Sequence, residues 1–256
     1  MNSLYSKEQG QGEPILLLHG FPFHQEIWDG YTERLADAYR VITVDLPGFG
    51  KSPALKKGFS IEQVAQTLLY FLTDKNLASV AVVGHSLGGY VALALVKLAP
   101  ERCSSLTLFH STAYADSSEK KQSRTKVVEF VQKNGAIPFT TGFIPPLFSN
   151  PSHPAVETVR KIASEASEDA VIGYTLAMRD RQDQIKTLES YKNPTLFLAG
   201  EKDPGIPVDT ILKQAAHCQK PQIHILKNVA HLGMFENPID TSAKIKDFVS
   251  KTHAEF

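Results

Sequence analysis

The sequence predicts an α/β fold: a mostly parallel sheet covered by helices on both faces. Three observations predict it. Short aliphatic runs alternate with amphipathic stretches along most of the chain, the pattern of strands buried on both faces. No period of 20–50 residues recurs, which excludes solenoids and propellers. The loops richest in reactive side chains, at 19–22, 45–50, 85–89, 110, 200–207 and 231, all follow predicted strands, where sheets of this class bind ligands.

The elements justify themselves in order. Residues 15–18 are a four-residue aliphatic run after Pro14, a buried strand followed by His19-Gly20-Phe21-Pro22. Trp28, Tyr31, Leu35 and Ala36 recur at helical spacing and predict a first helix. Residues 40–44 form the next strand, ending in the turn-rich Asp45-Leu46-Pro47-Gly48-Phe49-Gly50. Ser60, with Gln63 three residues on, predicts a capping box and a helix to about Thr73. Strand 80–83 runs through a glycine-rich turn into helix 87–99, stopped by Pro100, and 106–109 is the strand after it. From 111 to 183 strands disappear. The expected pieces are helices at 119–133, 154–165 and 168–181, and a short apolar piece around 138–148. Alternation then resumes with strand 195–199, helix 208–216, strand 222–226 and a last helix from Pro238 to about Val249.

Composition narrows the class. The 256 residues suit one large core domain, and 27 Lys+Arg balance 27 Asp+Glu. A net charge of zero argues against nucleic-acid or anionic-membrane partners. No apolar run approaches the roughly 20 residues that span a bilayer. Residues 1–12 lack the pattern of a secretory signal, and Cys103 and Cys218 are the two cysteines. A soluble, cytoplasmic protein with two free thiols is the expectation.

The whole is organised around Gly84-His85-Ser86-Leu87-Gly88. A serine at the apex of a strand–turn–helix needs a strained backbone, and side chains two positions either side would collide with the neighbouring strand and helix. Its hydroxyl is a poor nucleophile until a general base takes the proton. Of nine histidines, His231 meets the positional test, because it follows the last predicted strand. Asp203 follows strand 195–199 and lies between Ser86 and His231 in the chain; Asp209 is the fallback.

H-G-F-P, D-L-P-G-F-G-K-S, G-H-S-L-G-G, G-E-K-D-x-x-x-P and A-H-x-x-x-x-E-x-P, in this order, resemble the blocks of the α/β-hydrolase superfamily. They span nearly all the chain outside 111–183. The resemblance implies an eight-stranded, mostly parallel sheet, or a seven-stranded one if the short N-terminus abbreviates the first antiparallel strand. It also implies a helical cap at 111–183 inserted into a core of 1–110 and 184–256. Ser86 would be the nucleophile, His231 the general base and Asp203 the residue that orients it. The backbone N–H groups of Phe21 and Leu87 would form the oxyanion hole. A carboxylate after the strand that ends at His110, where some members carry the acid, is missing here, which strengthens Asp203.

Other side chains read as scaffold. His19, His85 and Asp45 are expected to tie down loops around the elbow, and Glu236 to brace the last helix. Phe23, His110, Phe143, Leu147 and Leu232 are the candidates for lining the substrate pocket; a buried, satisfied imidazole is the alternative for His110. No metal-ligand spacing or phosphate-binding loop occurs, so a site without metal or cofactor is expected. A serine at the elbow argues against the dehalogenases and epoxide hydrolases, which use Asp there. The expected activity is hydrolysis of a small carboxylic ester, lactone or thioester. A perhydrolase or C–C bond hydrolase with the same triad, or a ligand-binding protein on this fold, are the alternatives.

Overall fold

A computed structural model describes residues 3–253. Its strands are β1 Ser6–Gln9, β2 Pro14–Leu18, β3 Arg40–Val44, β4 Val80–His85, β5 Cys103–Phe109, β6 Thr195–Gly200 and β7 Pro221–Leu226. They form one sheet in the order β1-β3-β2-β4-β5-β6-β7. β1 pairs antiparallel with β3, and every other pair is parallel. The fold is thus the seven-stranded version of the expected architecture.

Both faces of the central strands are buried. Leu16 and Leu18 join Ile42, Val44 and Val82 on one face, under α2 Ile61–Asp74 and α3 Leu87–Leu98. Ile15 and Leu17 join Val41, Ala81 and Val83 on the other, with α1 Glu33–Ala36 and α11 Pro238–His253. Fully burying one such aliphatic side chain stabilises the fold by about 1.5–3 kcal/mol, so unbroken aliphatic runs outweigh any single polar contact here. The capping box opens α2 as expected, with Ser60 Oγ accepting from Gln63 N and Gln63 Oε1 accepting from Ser60 N.

β2 has β3 on one side and β4 on the other. The chain therefore reverses direction across the sheet at β2, and the loops after β2 and β4 splay apart at their carboxyl ends. Such a switch point opens a crevice, and it sets residues 19–22 beside Ser86.

Four elements differ from expectation. The predicted first helix is a 3-10 turn, Gln25–Trp28, then a separate short α1, because Gly30 takes a left-handed φ of 73° between them. β1 is an edge strand of four polar residues with nothing buried on it, so no alternation marks it. The 138–148 piece resolves into α5 Ala136–Phe143 and a 3-10 turn, Pro145–Leu147. The short α8 Ile185–Ser190, not anticipated, packs against α3. α9 Val208–Ala215 and α10 Gly233–Glu236 complete the core. Among the described residues no helix is long and apolar enough to cross a membrane.

Between β5 and β6 lies a helical insert: α4 Ser118–Asn134, α5, α6 Val156–Ser164 and α7 Glu168–Asp180, with α4 packed on α7. Its two connections to the core run side by side, since Gln184 N–H donates to Ala113 O. A buried ionic clamp fastens them. Asp116 accepts from Arg181 Nη1 at 2.6 Å and from Arg124 Nε, while Arg181 also donates to the Met178 and Tyr114 carbonyls. The Arg181 guanidinium lies 4.0 Å over the Tyr90 ring of α3. Burial opposes ionisation of Asp116, but the hydrogen bonds and charges of Arg124 and Arg181 hold its carboxyl below the usual range. Further out, Tyr174 of α7 donates to Pro47 O and stacks on Phe49 with ring centres 4.7 Å apart.

Arg181→Met leaves Asp116 with one partner in a buried site, at a cost of about 3 kcal/mol. Thermal unfolding should fall by roughly 6–12 °C at neutral pH. A carboxyl held below its unfolded-state pKa stabilises at neutral pH and loses that contribution as pH falls. The gap between variant and wild type should therefore narrow in acid; equal melting at neutral pH would refute the clamp.

Candidate active site

The elbow is a steric construction. Ser86 sits between β4 and α3 at φ 51°, a left-handed conformation that a non-glycine residue rarely takes. Its backbone is pinned from β5: Ser86 N–H donates to Phe109 O at 2.9 Å, and Ser111 Oγ donates to Ser86 O at 2.8 Å. A Cβ on Gly88 would lie 2.3 Å from Leu18 O, and one on Gly84 2.4 Å from Gly88 O. Any side chain there would push α3 off the strand ends. Between Gly84 and Tyr90, only Ser86 escapes full burial.

The backbone N–H groups of Leu87 and Phe21 lie just past the ends of β4 and β2. Leu87 is the first residue of α3, whose opening turn carries unpaired N–H groups and the positive end of the helix dipole. Phe21 follows β2, and the loop presses so closely on the elbow that a Cβ on Gly20 would lie 2.4 Å from His85 Nδ1. Neither N–H donates to another group among the described residues.

His231 and Asp203 are brought together. His231 Nδ1 lies 2.7 Å from Asp203 Oδ2, and both side chains are buried. An ionised carboxylate accepts only, so Nδ1 carries the proton and Nε2 presents its lone pair. Three contacts fix the His231 loop. His231 N–H donates to Leu147 O of the insert, His85 Nε2–H donates to His231 O at 2.8 Å, and Ala230 N–H donates to Glu236 Oε2. The loop crosses the end of β6 so tightly that a Cβ on Gly200 would lie 2.1 Å from Ala230 O. The His85 and His231 rings are 5.1 Å apart, which sets His231 beside the residue preceding Ser86. No hydrogen bond joins Ser86 Oγ to His231 Nε2 in this structure; in unliganded sites such contacts are commonly long.

Burial alone would raise the Asp203 carboxyl, but the charge of His231 and the hydrogen bonds from His110 and His231 hold it well below the usual range. Asp203 Oδ1 accepts from Gly205 N at 2.8 Å and Ile206 N at 3.0 Å. Asp209, by contrast, is exposed on α9. His19 and His85 act as scaffold. Nδ1–H of His19 donates to Gly20 O and its Nε2 accepts from Leu46 N. Burial pushes its pKa down to about 3 and that of His85 well below normal, so both rings are neutral at pH 7. Asp45 accepts from Gln25 N and Lys51 N, tying down its loop.

The pocket-lining expectations need correction. Phe23, His110 and Leu232 have no accessible surface and so face no open space. Phe23 stacks near His85, and His110 packs behind Asp203. Phe143 is half-buried and, with Phe139, meets the Phe21 ring at 6.0–6.2 Å; Leu147 holds His231 through its carbonyl. Glu236 does not brace the last helix. It binds the Ala230 and Ser149 amides, joining the His231 loop to the insert. Ser111 was not singled out; its one signal is its place just past a strand that ends beside the elbow.

His110, Asp203 and His231 also bring three metal-capable ligand atoms within 4.8 Å of one another. Asp203 already takes hydrogen bonds on both oxygens there, and the side chains of His110 and Asp203 have no exposed surface at which to meet an ion. Cys103 and Cys218 are free, and burial raises their thiols to about 12 and about 11, so both are unreactive at neutral pH.

A family model described as "Alpha/beta hydrolase family" matches residues 15–245. A thermophilic esterase from Thermogutta terrifontis is 30% identical, with a TM-score of 0.92 over 98% of this chain and 94% of that one. Lipase 1 of Psychrobacter immobilis is 27% identical over 95% of this chain and 79% of its own length. A pimeloyl-[acyl-carrier protein] methyl ester esterase of Nitrosomonas europaea is 37% identical over 44% of this chain and 42% of its own length. The chain spans 64% of another relative, the dihydrolipoyllysine-residue acetyltransferase component of an acetoin cleaving system from Pseudomonas putida, at 29% identity. With the matched residues running from β2 into α11, the chain belongs to the alpha/beta hydrolase family.

Proposed function

We propose that this protein is a serine esterase that cleaves a small carboxylic ester through an acyl-enzyme. The hydrogen-bonded pair of His231 and Asp203, beside a strained, accessible Ser86, carries the reading. The similarity to the Thermogutta esterase supports it.

In the proposed cycle Ser86 Oγ attacks the ester carbonyl carbon while His231 Nε2 takes its proton. The negative oxygen that develops is met by the N–H groups of Phe21 and Leu87, each such donor being worth about 3 kcal/mol in the transition state. Asp203, anionic across the neutral range, stabilises the His231 imidazolium. Collapse breaks the ester C–O bond, and the leaving alcohol takes the proton from His231. A water, deprotonated by His231, then attacks the acyl carbon; the C–Oγ bond breaks, His231 returns the proton to Ser86 Oγ, and the acid leaves. Atoms and charges balance with ester and water alone. Residues 111–183 act as the cap. Phe139 and Phe143 set an apolar roof over Phe21, which favours a small or medium apolar acyl group. The two free thiols fit a reducing, cytoplasmic setting.

With short-chain p-nitrophenyl esters, Ser86→Ala should lower kcat by about four orders of magnitude or more at unchanged melting temperature. Wild-type turnover in that variant, or none in the wild type, would sink the reading. The pH profile gives a separate check. Only neutral His231 accepts a proton, so turnover should fall on acidification. Because Asp203 is held well below the usual carboxylate range, the limb should show one ionisation, log kcat/KM changing with unit slope. A slope of two would mean that Asp203 titrates with His231, contrary to this account.

A further inference from the structure

His110 closes β5 in a left-handed conformation, φ 51°, with no accessible surface. A non-glycine residue rarely takes that conformation unaided, so its neighbours must hold it. Its backbone N–H donates to Leu198 O at 2.8 Å. The Gly233 N–H donates to its Nε2 at 3.2 Å, and a Cβ on Gly233 would lie 2.8 Å from that nitrogen. Nδ1 is 3.2 Å from Asp203 Oδ2 and also 3.2 Å from Gly200 N.

These contacts select one tautomer. Nε2 accepts from Gly233, so the single proton of the neutral ring is on Nδ1. There it points at an anionic oxygen, and a hydrogen bond to a charged acceptor outweighs one from the neutral Gly200 amide to the same nitrogen. The opposite tautomer would set two N–H groups at Nε2 against each other, and a lone pair at Nδ1 against the carboxylate. Burial keeps the ring neutral, opposed by the Asp203 hydrogen bond and charge.

Asp203 then has four donors: Gly205 and Ile206 on Oδ1, His231 and His110 on Oδ2. A carboxylate offers about four acceptor sites, so none is left unsatisfied. Three of these donors come from the acid's own loop or its partner histidine. The fourth comes from the end of β5, the strand whose Phe109 carbonyl also receives the Ser86 N–H.

We propose that His110 is a positioning residue for the reaction, a neutral imidazole whose Nδ1–H completes the shell of Asp203 and so sets the orientation and basicity of His231. This rests on the triad reading above. The strand end that pins the nucleophile thereby also pins the acid, and both are registered to one rigid edge. Without that donor, Asp203 concentrates its charge on the remaining hydrogen bond, and His231 holds its proton more tightly. The other titratable groups near His110 are His85 from β4 and Glu236 from α10. Neither replaces a donor to Asp203.

The test compares His110→Leu, His110→Asn and Ser86→Ala with wild type, using p-nitrophenyl ester turnover across pH and thermal melts. His110→Leu should lower kcat roughly ten- to a hundredfold, leave KM within about twofold, and move the acid limb of kcat/KM to higher pH. His110→Asn, which keeps an N–H donor, should recover much of the rate and return the limb towards wild type. A folded His110→Leu with wild-type kcat and limb would overturn the proposal. So would an Asn variant as slow as Leu with the limb unmoved, since that is loss of packing alone. Turnover surviving in Ser86→Ala would instead overturn the triad reading. Nitrogen-15 NMR of the wild type needs no variant to fold: the neutral Nδ1–H tautomer of His110 supports the proposal, and the Nε2–H tautomer refutes it.

Discussion

The close approach of α3 to the carboxyl ends of β2 and β4 is the constraint on which the rest depends. Gly88 lets the helix come within contact of the Leu18 carbonyl, and Gly84 lets the turn close beneath it. Only then is Ser86 forced out of the helix into a left-handed conformation with its side chain off the sheet. The same closeness brings the loop after β2 against His85. Ser86 and the loop after β2 are therefore one steric object, held by the fully buried aliphatic runs of β2 and β4.

Electrostatics complete what packing begins. Burying a carboxylate is expensive unless its acceptor sites are filled. Asp203 lies at a point where two loops, a strand end and a histidine converge to fill them. The surrounding imidazoles divide by burial. His19, His85 and His110 are driven neutral and serve as directional donors and acceptors. His231 keeps its Nε2 free on a partly exposed ring, whereas the unpaired Nδ1 of His85 is fully buried. The insert takes part in this order, because its Leu147 carbonyl and Ser149 amide bind the His231 loop and Glu236.

Much of this was legible in the residues. Aliphatic runs marked β2–β6, the Ser60–Gln63 pair marked the start of α2, and turn chemistry marked the loops that bear the site. Those features are local, and local propensity and burial agree there. β1 was not legible, because its residues are polar and its pairing with β3 is made by backbone alone. The first helix was overcalled because Trp28, Tyr31 and Leu35 keep helical spacing across Gly30, while the backbone does not. The parts of Glu236 and His110 were hidden for another reason. Each depends on which element, distant in the chain, lies opposite, and residue type alone leaves that open.

Reaction with a fluorophosphonate, followed by peptide mapping, tests the central claim most directly, because that reagent modifies only a serine already activated as a nucleophile. The account predicts stoichiometric labelling of Ser86, lost when His231 is replaced by alanine. Labelling at another residue, or none at Ser86 in the folded protein, would contradict it.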